Sequence, residues 1–479
     1  MDSFSKTIKS YLNDSLKYIP SQVIPAVAGF LSIYVYTRIL QPAGYGSYVL
    51  ILTSVNLLSS LIFSWLNQSG IRFFQKYKKM QKDDFFISTA LIAMISILFI
   101  LSFVWFLIAF TADFKPLCET VLIAYALFCS ISIYNLLLVF LKADRKIVKF
   151  GIYSCIYSLL SLTLALIIIS LFEFDQRGVI LALIMVSSIL LLFELVSVKN
   201  QKKLKLTHFS FAILKENWQY GAPMIGVTVG AMVLSVSDRY MIEWLLGTDA
   251  VGIYSAGYAI AERSIRGIAS ILMIAATPII FKTHTEFGDT KTRQLIHKML
   301  KTYIMVLLPA VCGLSFLSGA VVEMLLGDLF ISASQVIMWV AAGIFFHTLG
   351  LYFNLSFQLK NKTLQLFHSY MFAAILNIVL NMYFIPKFGV IGAAWATCIS
   401  YFLYAITTWV SGTRLLRIDV PWLTIVKVSL SICLMIKVIM IFELYLVSNY
   451  TMVITSVIVG AIVYLVSLFA CKRDSLMRQ

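Results

Sequence analysis

The sequence predicts an all-α polytopic membrane protein of about 14 transmembrane helices: two parallel six-helix lobes followed by a C-terminal helix pair. Three observations predict it. Apolar runs of about 20 residues, each able to cross a ~30 Å hydrocarbon core, recur along the 479-residue chain. Basic residues alternate between successive loops. One short corner is written twice.

The apolar runs come first. The chain is 60% hydrophobic and 13% charged, with a mean hydropathy of +0.91; a soluble domain is roughly 45–50% apolar and about 25% charged. The surplus covers the whole length, which excludes a soluble domain on an anchor. The runs are too long and continuous for the ~10-residue alternating strands of an outer-membrane barrel, so the backbone must satisfy its own hydrogen bonds as helices. Spans are expected near 17–38, 47–69, 86–110, 117–141, 151–172, 178–198, 218–246, 250–280, 302–326, 332–359, 364–385, 389–411, 421–445 and 450–470. The first is full length and lacks a small-residue cleavage site, so no cleavable signal is expected.

The loops carry the second signal. With both termini placed in the cytoplasm, 29 of the 38 Lys and Arg fall at cytoplasmic span ends. Four fall opposite (Arg38, Lys115, Arg177, Lys387) and five within spans (Arg239, Arg263, Arg266, Lys427, Lys437). That asymmetry is the positive-inside rule, and it checks the span count, since one missed span would scramble the alternation. The net charge of +16 is therefore topology, with anionic-lipid contact as a side effect, and it excludes nucleic acid as a partner. Seven cysteines without a CxxC and five scattered histidines form neither a disulfide framework nor a metal site; no cofactor is expected.

The third signal is the repeat. LQPAGYGSY (Leu40–Tyr48) is echoed 206 residues later by LGTDAVGIY (Leu246–Tyr254), which puts Gly46 on Gly252 and Tyr48 on Tyr254. RGVILA (Arg177–Ala182) is echoed by FGVIGA (Phe388–Ala393) at an offset of 211. The pairs occupy equivalent hairpins, between spans 1 and 2 against 7 and 8, and at the start of spans 6 and 12. The repeat implies two lobes, 1–200 and 211–415, joined by a basic linker at 201–210 and trailed by an extra pair at 416–479. Six spans is an even number, so both lobes enter from one side and the repeats are parallel, an arrangement in which transporters hold substrate between lobes.

The residues that carry the repeat also carry a resemblance. RILQPAGYGSY after span 1, SDRYMIEWLLGTDAVGIYSAGYAI across spans 7 and 8, and YFIPKFGVIGAAWATCIS across spans 11 and 12 resemble the MOP flippase superfamily, which includes the MATE exporters. The match is to its polysaccharide-transporter branch, the Wzx-type O-antigen and capsule flippases. The resemblance implies a V-shaped central cleft between two six-helix lobes. It implies movement of an undecaprenyl-diphosphate-linked oligosaccharide from the inner to the outer leaflet of a bacterial inner membrane by alternating access, by a monomer working beside a polysaccharide polymerase and chain-length machinery. The 14 spans also resemble the lipid II flippase branch, in which the last two helices add a lipid-facing groove.

Charges inside spans are costly and usually face a bundle interior or a wet cavity. Span 8 holds Glu262, Arg263 and Arg266, with Glu262 and Arg266 at i,i+4 and able to pair. Span 7 holds Asp238 and Arg239. A diphosphate needs cationic partners, best a planar guanidinium that meets phosphate oxygens bidentately. Arg263, Arg266 and Arg239, with Arg38 and Arg72 from spans 1 and 2, are therefore candidates to line a substrate cleft, and Glu262 and Asp238 are candidate Na+ or H+ coupling sites. Plainer readings stand beside these. Arg38 and Arg72 equally suit interfacial anchors, Glu262 with Arg266 also suits a structural ion pair, and Asp238 and Arg239, which cannot share a helical face, suit pairing inside one lobe, Asp238 with the next helix. Asn377 and Asn381, i,i+4 in span 11, suit bonds across helices. Trp65, Trp105, Trp244, Trp339 and Trp422 suit an aromatic belt, and Pro25, Pro223, Pro278 and Pro309 suit kinks.

No GxxxxGK[ST] occurs, so no nucleotide-driven pump is encoded. A drug exporter of the same superfamily would present acids rather than arginines to cationic cargo. A glycan-joining membrane enzyme needs a sizeable extramembrane loop, which this chain lacks; it is not expected to be an enzyme.

Overall fold

The computed structural model describes residues 2–111, 115–200, 205–360, 362–445 and 449–476; residues 201–204 of the expected basic linker lie outside them. The described residues form helices and short turns, with no strand among them. In chain order the helices are α1 (Asp2–Lys79), α2 (Asp83–Thr111), α3 (Lys115–Ala143), α4 (Ile147–Phe172) and α5 (Gln176–Asn200), then α6 (Phe211–Leu246) and α7 (Thr248–Ala261). A single π turn, Glu262–Arg266, leads into α8 (Gly267–Phe316), followed by α9 (Ser318–Leu325), α10 (Ala333–Leu359), α11 (Thr363–Thr413), α12 (Trp422–Tyr445) and α13 (Asn449–Leu476).

Among the described residues, 11 helical runs are long and apolar enough to cross a membrane. Three of them contain a break, at Gln41, Gly288 and Gly389. Each break divides one run into two, which gives the 14 crossings expected. Pro223, Pro278 and Pro309 sit inside continuous helix, whereas the break at Gln41 directly precedes Pro42 and the break at Gly389 follows Pro386 by three residues. A bilayer-spanning helix can continue through a proline when neighbours satisfy the freed carbonyl, whereas a residue at positive φ cannot continue a right-handed helix.

The chain forms two compact units: Met1–Leu12, Ile33–Gly46 and Ser237–Gln479 in one, and Asn13–Ser32 with Ser47–Val236 in the other. The second unit buries an aromatic core of Phe63, Phe74, Phe86, Phe128 and Phe140, with Phe74 5.9 Å from Phe140 and Tyr77 stacked 5.1 Å from Phe86. Its outer faces are apolar as well, with Phe99, Phe103 and Phe110 of α2 well exposed, as a lipid-facing helix requires. Trp65 departs from the expected belt. It is buried, packs edge-on against Trp218 at 5.2 Å, and its backbone lies where a Cβ on Gly221 would stand. Trp244 and Trp422 are exposed.

In the first unit α10 is the buried centre, its residues Val336, Ile337, Val340, Ala341 and Ile344 inaccessible. Gly343 and Gly350 admit the α11 segment holding Cys398, Tyr401 and Tyr404 at close range, the small-residue packing that joins helices in lipid.

The repeated corner closes this unit. Gln41 sits at φ 59°, ψ 178° and Gly247 at φ 86°, ψ 176°, 206 positions apart, so both copies turn by the same backbone device. The copies also pack on each other. A Cβ on Gly46 would meet the Thr248 carbonyl oxygen, and a Cβ on Gly252 would meet the Pro42 carbonyl oxygen. Thr248 stands 206 after Pro42, and Gly252 stands 206 after Gly46. The contact is thus reciprocal, each copy's glycine receiving the other's carbonyl, as at a two-fold interface.

Candidate functional site

Five charged side chains predicted from sequence lie on the end of α6 and the π turn, within one unit. Asp238 is 1% exposed and fully engaged. Its Oδ1 accepts the Arg239 backbone N–H (2.9 Å) and a guanidinium N–H of Arg239 (3.4 Å). Its Oδ2 accepts the Tyr254 hydroxyl and, at 3.4 Å, the Thr397 hydroxyl. The Arg239 guanidinium also lies 4.5 Å over the Tyr258 ring. A buried carboxylate survives only with such company, because desolvation outweighs an unassisted ion pair. The lobe-internal reading describes this geometry, with Tyr254 of the next helix on Asp238, but the two adjacent residues also pair with each other, which their divergent helical positions did not predict.

Glu262 and Arg266 pair across the π turn at 3.0 Å, with side chains 40% and 31% exposed. The π turn inserts one extra residue into the helix and re-aims the side chains beyond it. Arg266 reaches His347 Nδ1 at 3.4 Å, and the His347 ring lies 4.7 Å from Tyr401 and stacks 5.4 Å from Tyr404. Tyr404 accepts an amide N–H from Asn354 (2.6 Å), and Tyr258 meets Tyr401 hydroxyl to hydroxyl at 3.3 Å. Arg263 is half-buried on the same turn. Asn377 accepts from Ser237 of α6 (3.1 Å) and from Asn381 (3.0 Å), the cross-helix bonding expected of that pair.

The two exposures separate what these charges can do. Asp238 and Arg239 are sealed and neutralise each other, while the Glu262–Arg266 pair is accessible enough to trade partners with an incoming anion or cation. Arg38 is exposed, lies 4.5 Å over Tyr34 and donates to the Met324 carbonyl at 3.3 Å. Arg72, in the other unit, is exposed and lies 5.8 Å over Tyr220. Among the described residues neither makes an ion pair. Residue types alone did not mark His347, Tyr258, Tyr401 or Asn354. A helical-face count would have found part of the set, since His347 and Asn354 are seven apart and Tyr401 and Tyr404 three apart on one face each.

The profile of the family described as polysaccharide biosynthesis protein matches residues 12–284, more than half of the chain. A candidate O-antigen transporter of Shigella flexneri is 24% identical over 253 residues, 51% of this chain and 59% of that protein. A probable low-salt glycan biosynthesis flippase of Haloferax volcanii is 22% identical over 196 residues, 40% of each chain. The chain thus spans about two fifths to three fifths of the length of these curated relatives. Among solved structures, the lipid II flippase MurJ in its inward closed conformation superposes with a TM-score of 0.77 at 16% identity, covering 97% of this chain and 100% of that one. An outward-facing multidrug resistance MATE transporter of the MOP superfamily superposes with a TM-score of 0.61 at 15% identity, covering 85% and 95%. These likenesses show the fold. The chain is a multi-pass membrane protein of the polysaccharide biosynthesis protein family, with the fold shared by MOP-superfamily flippases and exporters.

Proposed function

We propose that the chain is a flippase that moves undecaprenyl-diphosphate-linked oligosaccharide units from the inner to the outer leaflet of a bacterial inner membrane, by alternating access, for O-antigen, capsule or exopolysaccharide assembly. The observation that carries the reading is a coincidence of two findings. The sequence belongs to a polysaccharide biosynthesis family, and the same chain folds over 97% of its length like a flippase of a lipid-linked substrate. A lipid-linked glycan is the cargo that satisfies both.

Arg266 and Arg263 on the π turn are the substrate-binding residues of this reading, with Arg239 behind them and Arg38 and Arg72 nearer the interfaces. A guanidinium whose present partner is a 40% exposed carboxylate can pass to a diphosphate at small cost, because an exposed ion pair is worth only about 0–1 kcal/mol. Asp238 is the ion-coupling carboxylate. The Thr397 and Tyr254 hydroxyls lie on it and the Asn377 and Asn381 amides are buried in the same unit, an oxygen-rich setting suited to a hard monovalent cation or a proton. Glu262 is the accessible alternative.

The test is complementation in a bacterium lacking its own polysaccharide flippase, scoring surface glycan. Wild type should restore it, and Arg263→Ala or Arg266→Ala should lose it at equal membrane abundance. No restoration by wild type across several related glycans would turn the reading toward a drug exporter. Restoration by both variants would discard the arginine site and leave the flippase standing. Rescue of a strain lacking its lipid II flippase would move the substrate to that branch.

A further inference from the structure

The half-helices of α11 run out from Thr363 and back to Thr413, turning at Gly389, so its two ends lie at the same face as Lys360, Lys362, Arg414 and Arg417. Between those ends is a recess of about 340 Å³. Gln365, His368 and Ser369 line it from the outgoing half, and Thr407, Ser411 and Arg414 from the returning half. No carboxylate lines it.

Charge accounting among these four cations leaves Lys362 and Arg414 without a carboxylate among the described residues, and of the two only Arg414 lines the recess. Both carboxylate oxygens of Asp289 accept from Lys360 at 2.8 Å, and Oδ1 also lies 3.4 Å from His284 Nδ1. Asp419 is held by Arg293 at 3.3 Å and Arg417 at 3.0 Å, and Glu286 by Lys282 at 3.7 Å. Arg414 has no carboxylate partner among the described residues, and the side chains of Gln365, His368 and Ser411 have no hydrogen-bond partner among them either. The Arg fork is donor-only, and the amide, imidazole and hydroxyl beside it can each add a donor, with no anion among the lining residues to receive them. The ligand that supplies several oxygens and negative charge together is a phosphate ester. Phe372, 50% exposed, and Leu415 also line the recess, an apolar flank that suits the chain of an amphiphile more than a free ion.

We propose that this recess binds the phosphate group of a phosphorylated lipid at the basic face of the protein, with Arg414 as its principal contact. Two lipids present that chemistry, a bilayer phospholipid such as phosphatidylglycerol and a polyprenyl phosphate, and the site recognises the phosphate they share. It would serve a flippase or an exporter alike.

The full chain is purified in detergent and titrated with phosphatidylglycerol, with undecaprenyl phosphate and with zwitterionic phosphatidylcholine, reading bound lipid by native mass spectrometry. At least one of the two anionic lipids should bind more tightly than phosphatidylcholine, and the one that does identifies the source. Arg414→Gln should weaken that binding about tenfold or more, as loss of a charge-assisted hydrogen-bonding group does. Arg417→Gln, whose guanidinium already holds Asp419, should change it by no more than about twofold. Arg414 is exposed, and unchanged thermal melting of each variant confirms that folding is intact. Equal weakening by both variants would reduce the effect to diffuse surface charge and overturn the proposal. So would binding of neither anionic lipid above phosphatidylcholine.

Discussion

A single methyl group tests the reciprocal corner. Gly252→Ala places a Cβ on the Pro42 carbonyl oxygen, and Gly46→Ala places one on the Thr248 carbonyl oxygen. Both obstacles are backbone, which cannot rotate aside as a side chain can, so the two corners must separate. Overpacking costs about 1–3 kcal/mol, and a backbone obstacle belongs in the upper half of that range, ~2–3 kcal/mol. Replacing a helical glycine by alanine returns about 0.5–1 kcal/mol. Each substitution should therefore destabilise by ~1–2 kcal/mol, or roughly 2–8 °C in melting temperature for a unit of this size. Gly267→Ala is the control, since nothing lies within 4 Å of its Cβ position; it should melt at or slightly above wild type. Because the two glycines share one interface, the double variant should lose much less than the summed single losses. The assay is the monodisperse fraction of purified protein after heating. Melting of Gly252→Ala with or above Gly267→Ala, or fully additive losses, would refute the contact.

Three further outcomes rest on particular residues. Gln41 holds a backbone conformation at φ 59°, ψ 178° that is essentially reserved for glycine and costs on the order of 1–3 kcal/mol, so Gln41→Gly should stabilise by about 1 kcal/mol, read as a raised melting temperature. Asp238→Asn strands the buried Arg239 guanidinium and should destabilise by about 3–5 kcal/mol, with Asp238→Asn/Arg239→Gln recovering part of the loss in the same measurement. At the end of α3, burial pulls the Asp144 carboxyl upward, but hydrogen bonds from Lys146 and Lys78 outweigh it and hold it below the usual carboxylate range. A depressed carboxylate adds stability above its unfolded pKa of about 3.9 and loses it as pH falls through the folded value. The wild-type melting advantage over Asp144→Asn, about 1 kcal/mol at neutral pH, should thus vanish on acidification below that range.

The crossings were legible because lipid imposes one rule on every residue of a span, and the basic loops sort the spans by side. The corner was legible as a repeat but not as a contact, because a sequence shows that Gly46 and Gly252 are alike and not that they touch. The breaks were legible too, since Gln41 and Gly288 fall in loops expected between spans and Gly389 at the start of the twelfth. What residue type alone does not show is the positive φ at Gln41: glutamine favours helix, and the Pro42 that follows it together with the packing of the corner holds it out of one. Trp65 sat near a span end like its exposed counterparts, and only its neighbour Trp218, 153 positions on, draws it inside.

The site divides along the same line. Glu262 and Arg266 could be paired from spacing alone, since four residues bring side chains onto one face even across a π turn. Asp238 and Arg239 could not, because adjacent helical side chains diverge by about 100°; the guanidinium closes that angle with its length, and Tyr254 and Thr397 supply the rest. His347 was passed over among scattered histidines because its partner stands 81 positions away. Sequence counts five charges in spans 7 and 8 as equals. Burial ranks them, placing Asp238 at 1% exposed inside a closed hydrogen-bonded network and Glu262 and Arg266, at 40% and 31%, in a pair that remains accessible. How readily a charge in a membrane span can exchange its partner is set by the packing around it, which spacing along the sequence does not record.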